Sequence, residues 1–161
     1  YIDDNGVILT ICGSYQMFGN LYLDANKNKI PCLELLDIET ISEKDRFISN
    51  IVLENNLGLN PETIVGFENH GGRTYHDYDT LGEVKVGFGN NNEDGKEGLV
   101  YKNFIGTYLH GPLLPKNPHI TDKLISEALK RKYDIDSLKP LDDTIELNAH
   151  KKIVNRLLEN K

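Results

Sequence analysis

Cysteine is scarce in this chain. Its two cysteines, Cys12 and Cys32, are too few to staple a domain of 161 residues, and a reduced, cytoplasmic setting fits them. Long apolar runs are missing too: none would span a bilayer and no signal-peptide pattern occurs, which argues against membrane insertion. Positive charge is in the minority. With 18 Lys and Arg against 25 Asp and Glu, the net charge of −7 argues against nucleic acid or anionic membrane as the main partner. Metal-ligand spacing is lacking among the Cys and His residues. The glycine-rich segment 89–95 has neither the lysine nor the serine or threonine of a P-loop, so it is expected to be a loop and not a phosphate cradle. There is no internal repeat, and the length is one domain's worth, able to bury a substantial core.

What the chain does have is a short β-branched run, Val7-Ile8-Leu9-Thr10-Ile11, that breaks at Cys12-Gly13. Its nearly continuous apolar composition suits a strand buried on both faces, as in a parallel sheet. The turn through Gly13 leads into residues that can begin a helix. Nucleophile-elbow enzymes place their attacking atom on such a strand-to-helix turn. There the sulfur stands above the sheet edge and the helix N-terminus favours negative charge, so the thiolate is expected to gain on a free thiol of pKa about 8.5. A buried core cysteine at a strand end is the other reading of this motif alone.

Around that turn the pattern predicts a mixed α/β chain. Residues 21–24 alternate and run into the turn-rich segment 25–29, a hairpin signal. Strands are expected over 47–53, 63–68 and 83–88, with one or two more over 99–109, and loops over 55–61, 69–80 and 89–95. Asn117-Pro118 offers an N-cap and a proline at the first helical position, so a helix is predicted over 118–132. Asp142 or Asp143 is expected to cap a second, whose apolar face runs from Ile145 to Leu158. A doubly wound sheet normally carries strands ahead of a central elbow, so further N-terminal strands are expected to be missing from this chain.

A cysteine nucleophile needs a base and oxyanion donors. Of the five histidines, His110 ends the run Phe104-Ile105-Gly106-Thr107-Tyr108-Leu109 and precedes Gly111-Pro112, which stops the strand. A histidine at a parallel-strand end is well placed to be that base. His70 and His76 follow a strand, in a loop, and rank second. His119, in a helical first turn, and His150, on the last helix, are expected at the surface.

Four segments in consistent order, over roughly residues 1–133, carry a resemblance. Ile11-Cys12-Gly13-Ser14-Tyr15-Gln16-Met17-Phe18-Gly19 resembles the Cys-Gly-Gly-Tyr-Gln nucleophile motif of class I glutamine amidotransferases of the CobB/CobQ type. Gly66-Phe67-Glu68-Asn69-His70-Gly71-Gly72-Arg73-Thr74, Gly89-Asn90-Asn91 with Asp94-Gly95, and Gly106-Thr107-Tyr108-Leu109-His110-Gly111-Pro112-Leu113-Leu114 resemble one branch in particular. That branch is the GatD-type glutaminase subunit of lipid II isoglutaminyl synthase, which pairs with a Mur-ligase-like, MurT-type subunit.

The resemblance implies the class I glutamine amidotransferase fold, flavodoxin-like, with a mixed, largely parallel sheet flanked by helices. Residues 1–161 would be the larger, C-terminal part of that single domain. It implies that Cys12 attacks the side-chain amide of L-glutamine, that the Gly13 N–H helps hold the oxyanion, and that His110 moves the proton from thiol to departing ammonia. Gln16 matches the family's glutamine that contacts the substrate. Arg46 falls near an arginine lining the glutamine pocket, where a guanidinium suits an α-carboxylate; an exposed charge before a strand is its other reading. Asn69 and His70 are implied near the pocket, with structural support as their alternative. No metal or cofactor is implied on this chain. ATP and Mg are expected on the partner, which would use the ammonia to amidate D-glutamate in the peptidoglycan precursor lipid II. A cobyric acid or cobyrinate-type amidotransferase shares the glutaminase chemistry with another acceptor, and a catalytically silent interaction module of the same fold is the third possibility.

Three positions depart from the family pattern. The usual Gly-x-Cys-x-Gly elbow is here Thr10-Ile11-Cys12-Gly13-Ser14, which is expected to crowd a tight turn. The upstream glycine-rich loop that normally gives the second oxyanion donor is not in this chain. Many class I enzymes carry a glutamate two residues beyond the histidine, and here that residue is Pro112.

Overall fold

In a computed structural model of the chain, residues 1–159 are described. β1 (Ile8–Ile11) runs directly into a five-residue helix, α1 (Gly13–Met17). β2 (Leu21–Leu23) and β3 (Lys29–Pro31) make the expected hairpin. β4 (Glu39–Asn55) and β5 (Thr63–Tyr75) form a second, much longer one. β6 (Gly82–Val86), β7 (Lys96–Glu97), β8 (Leu99–Tyr101), β9 (Phe104–Thr107) and β10 (Leu109–His110) follow. Three helices close the chain: α2 (Leu113–Lys116), α3 (Pro118–Tyr133) and α4 (Thr144–Leu158).

The strands divide into two sheets. One has the order β1-β9-β8, with β1 and β9 parallel; the other has β10-β5-β4-β2-β3, with β6 on β4 and β7 on β6. The mixed α/β class expected from the sequence is what the structure shows. The sheets are mixed, as expected, but not largely parallel: among the described residues β1 with β9 and β2 with β4 pair parallel, and the remaining ladders are antiparallel because the chain returns through hairpins. Between the sheets and α2–α3 lies a core of Ile51, Leu53, Ile64, Leu81, Leu109 and Ile120. A second cluster, built on Tyr15, Ile38, Phe104 and Tyr108, packs beneath α1.

Three local expectations are corrected. Residues 69–75 belong to β5 and are not a loop. They escape recognition because the strand buries polar groups: the Arg73 guanidinium donates to the carbonyls of Gly71 at 3.1 Å and Asp45 at 2.8 Å, and Thr74 is fully enclosed. Asn117 stands at the N-cap of α3 but makes no side-chain cap bond. Instead its buried amide bridges the Val65 N–H and carbonyl and the Leu113 carbonyl, at 2.7–2.9 Å, tying α2–α3 to β5. His150 is not at the surface. Its Nδ1 donates to the Lys116 carbonyl at 2.9 Å and its Nε2 accepts the Thr63 hydroxyl at 2.8 Å, which docks α4 on β5. His119 stands 5.7 Å from it, ring to ring, with both nitrogens buried; burial and His150 push its pKa down to about 4.

Candidate active site

β1 delivers Cys12 to a sharp turn. Ile11 lies opposite Thr107 of β9, and the Cys12 N–H donates to the Thr107 carbonyl at 2.9 Å. Cys12 itself adopts φ 55° and ψ −113°, and α1 begins at the next residue. A side chain at positive φ is costly, and such strain gathers where geometry serves chemistry. Ser14 stabilises the turn from within: its hydroxyl donates to the Ile11 carbonyl at 2.9 Å and accepts the Ile11 N–H at 2.8 Å. The Thr10 hydroxyl bonds the Ile105 carbonyl at 3.3 Å. The residues that replace the family's glycines are therefore hydrogen-bonded, Ser14 within the turn and Thr10 across to β9, and do not crowd the elbow. The space comes from the neighbouring strand: Gly106 lies opposite Thr10, and a Cβ there would collide with the Tyr15 ring.

Burial pushes the half-buried Cys12 thiol up, while the Gly13 N–H and the Arg46 guanidinium pull it down. The expectation of a net shift toward thiolate is thus corrected. A helix of five residues aligns few peptide dipoles, and desolvation outweighs them. The thiol needs a base to give up its proton.

The run 104–110 splits between the two sheets, with Tyr108 crossing from β9 to β10. His110 therefore ends a two-residue antiparallel strand, opposite Phe67, and not a parallel one. Glu97 makes the crossing possible by accepting the Tyr108 N–H that leaves the ladder. The His110 pKa is lowered, by burial first and then by neighbouring His70 and Arg46, against a backbone hydrogen bond with Asn69 that raises it. A neutral imidazole is the form that accepts a proton. Its Nε2 is buried and meets no hydrogen-bond partner among the described residues.

Arg46 lowers the proton affinity of both Cys12 and His110, so thiol, imidazole and guanidinium share one neighbourhood. It sits where the β4–β5 register breaks between Ser42 and Phe47. Nε donates to Asn69 Oδ1 and Nη2 to the Asn69 carbonyl, both at 2.9 Å. Gln16 lies on the other side: its amide donates to the Tyr108 hydroxyl at 2.9 Å, which also bonds Thr74. Gly72 has no Cβ because one would press on that same amide and hydroxyl. Beside the elbow opens a cavity of ≈ 440 Å³, flanked by Gly13, Gln16 and Met17 of α1 and by Tyr22, Ile30 and Cys32. His76 stands apart. Its Nε2 donates to the Gly98 carbonyl at 3.2 Å and its Nδ1 accepts the Tyr78 N–H at 3.2 Å.

Residues 1–118 match the family model of the CobB/CobQ-like glutamine amidotransferase domain. The chain belongs to that family. It is 47% identical over 160 residues to the protein named lipid II isoglutaminyl synthase (glutamine-hydrolyzing) subunit GatD of Staphylococcus aureus (strain N315), covering 99% of this chain and 65% of that one. To the subunit of the same name in Streptococcus pneumoniae (strain ATCC BAA-255 / R6) it is 40% identical over 148 residues, covering 90% and 56%. A cobyric acid synthase of Listeria innocua (serovar 6a, strain ATCC BAA-680 / CLIP 11262) is 33% identical over 159 residues, covering 94% of this chain and 30% of that one. The chain thus spans less than two thirds of the length of these curated relatives.

In this amidotransferase domain, the groups that sequence reasoning passed over are those behind the site: Glu68, Glu97, Thr74 and Tyr108. Glu68 and His70 were legible as a pair, being two apart and so on one face of a strand, had residues 69–75 been recognised as strand. Glu97 had no such signal, because it follows a turn-rich loop and is buried only by the tertiary fold.

Proposed function

We propose that the protein is a glutaminase subunit that hydrolyses L-glutamine through a Cys12 thioester and passes the ammonia to a Mur-ligase-like synthetase, which amidates D-glutamate of lipid II in the cytoplasm. The observation that carries this reading is the strained Cys12 elbow, with Arg46 acting at once on its thiol and on His110. The similarity to the two GatD subunits supports the acceptor, and the lower identity to cobyric acid synthase weighs against the same hydrolysis with a different one.

His110 takes the Cys12 proton as the sulfur attacks the amide carbon, and the Gly13 N–H stabilises the oxyanion. The C–N bond then breaks as His110 protonates the leaving nitrogen, giving ammonia and a thioester. Water, deprotonated by His110, cleaves the thioester to glutamate and restores the thiol. Arg46, anchored by Asn69, offers its guanidinium to the α-carboxylate of glutamine. Gln16 borders the substrate while Tyr108 fixes its amide.

A third group normally orients the histidine, and its loss in a serine protease costs about 10⁴ in turnover. Pro112 cannot serve, and His110 Nε2 has no partner among the described residues. A carboxylate of the partner completes the set. The test is steady-state glutaminase kinetics of the full-length protein with and without the synthetase that co-purifies with it. Turnover is expected to rise on complex formation, and the same turnover in both states would refute the shared-site reading.

A further inference from the structure

A buried pair stands beside this chemistry and is not used by it. Glu68 and His70 project from the same face of β5, with 0% and 1% of their surface exposed. The Glu68 carboxylate accepts the N–H groups of Phe88 at 2.7 Å and Gly89 at 3.0 Å, one on each oxygen. His70 Nδ1 lies 2.8 Å from the Gly72 carbonyl. A carbonyl only accepts, so Nδ1 carries a hydrogen. Nε2 then faces Glu68 Oε2 at 3.7 Å and has no hydrogen-bond partner among the described residues.

Two arrangements are open to that nitrogen. Without a hydrogen, its lone pair faces either a carboxylate, two acceptors enclosed together with no opposite charge beside them among the described residues, or a protonated Glu68 carboxyl, whose two oxygens each already accept a backbone N–H; both are costly states. With a hydrogen, the two groups form an ion pair. The surroundings favour the second. The His70 ring lies flat on Tyr108, centroids 3.6 Å apart and planes within 6°, and an aromatic face attracts a cation. Other charged and titratable groups around it are Arg73, seated over Phe47, Arg46 at the register break of β4, the Tyr108 phenol and His110. Against the two guanidiniums, Glu68 is the enclosed anion.

We propose that His70 is a buried imidazolium, locked between the Gly72 carbonyl and Glu68, and that its charge makes it a positioning residue that keeps His110 in the neutral form able to take the thiol proton. His70 exchanges no proton with substrate. Its charge acts across the β5–β10 pairing, and its ring braces Tyr108, two residues before His110.

The kinetic half of this inference rests on the glutaminase reading; the charge state does not. In the full-length protein labelled with ¹⁵N-histidine, two-bond ¹H–¹⁵N correlation at pH 7 is expected to show both His70 nitrogens protonated, with the signal identified by its loss in His70→Asn. A neutral His70 overturns the proposal whether or not glutamine is hydrolysed. Asn keeps an N–H for Gly72 and removes the charge, so His70→Asn should move the acid limb of kcat/KM for glutamine upward by about half a pH unit or more. Glu68→Gln should move it the same way as His70 loses its second proton. A charged His70 with an unmoved acid limb overturns the tuning role, whereas a charged His70 in a protein without glutaminase activity sinks the functional reading and leaves the imidazolium standing.

Discussion

Glu97 holds Thr107 from beneath the junction of the two sheets, with the threonine hydroxyl 3.1 Å from both carboxyl oxygens. Thr107 in turn accepts the N–H of Leu109 at 3.1 Å. One fully buried carboxyl thus fixes the three residues that carry the chain from β9 to β10 and so to His110.

Burial raises the Glu97 pKa to about 8, against hydrogen bonds from Tyr108 and Thr107 that lower it. Between an ordinary carboxyl pKa and 8 the folded state keeps a proton that the unfolded chain releases. The contribution of Glu97 to stability is therefore full at low pH and is lost as pH rises through that window, by at most about 1.4 kcal/mol per pH unit. Urea unfolding from pH 5 to 8 should show a downward slope that Glu97→Gln flattens. A slope unchanged in the variant would place the titration elsewhere.

Strain at Cys12 predicts an order of stability. Relief of positive φ is worth about 1–2 kcal/mol to glycine, and its extra unfolded-state freedom takes back about 0.4–1 kcal/mol. Cys12→Gly should therefore unfold at higher denaturant than Cys12→Ala. The reverse order would mean that the elbow relaxes on its own.

Reactivity should also distinguish the two thiols. Cys12 stands at the elbow with a guanidinium acting on it, whereas burial raises the Cys32 pKa with no basic neighbour among the described residues to offset it. A diazo-ketone analogue of glutamine should label the full-length protein at Cys12 alone, as read by peptide mass mapping. An adduct on Cys32, which lines the adjoining cavity, would reassign the nucleophile.

His110→Ala should remove nearly all glutamine hydrolysis, while His76→Ala, whose ring nitrogens are both engaged in the 76–98 loop contacts, should stay close to wild type. Equal losses in the two variants would contradict the assignment of the base.

Arg46→Ala removes a charge-assisted contact worth about 1.5–3 kcal/mol, so KM for glutamine should rise on the order of 10–150-fold. Arg46→Lys should not restore it, because an ammonium cannot span both Asn69 oxygens and a carboxylate. An unchanged KM in Arg46→Ala would return this residue to an ordinary exposed charge.

The sequence by itself determined the parts that depend on neighbours along the chain. The β-branched run into Cys12-Gly13 specifies a strand that must turn, Pro118 starts α3, and the hairpin at 24–28 follows from its turn residues, each a local conformational preference. Tertiary structure decided the rest. It split 104–110 between two sheets, because the carboxyl of Glu97, eleven residues before Tyr108, accepts the N–H that leaves the ladder. It turned 69–75 into strand, since bonds to distant carbonyls satisfy polar groups that would otherwise favour a loop. It buried His150 against Thr63 and left Cys12 short of thiolate, because desolvation depends on what packs around a group and not on which residues flank it.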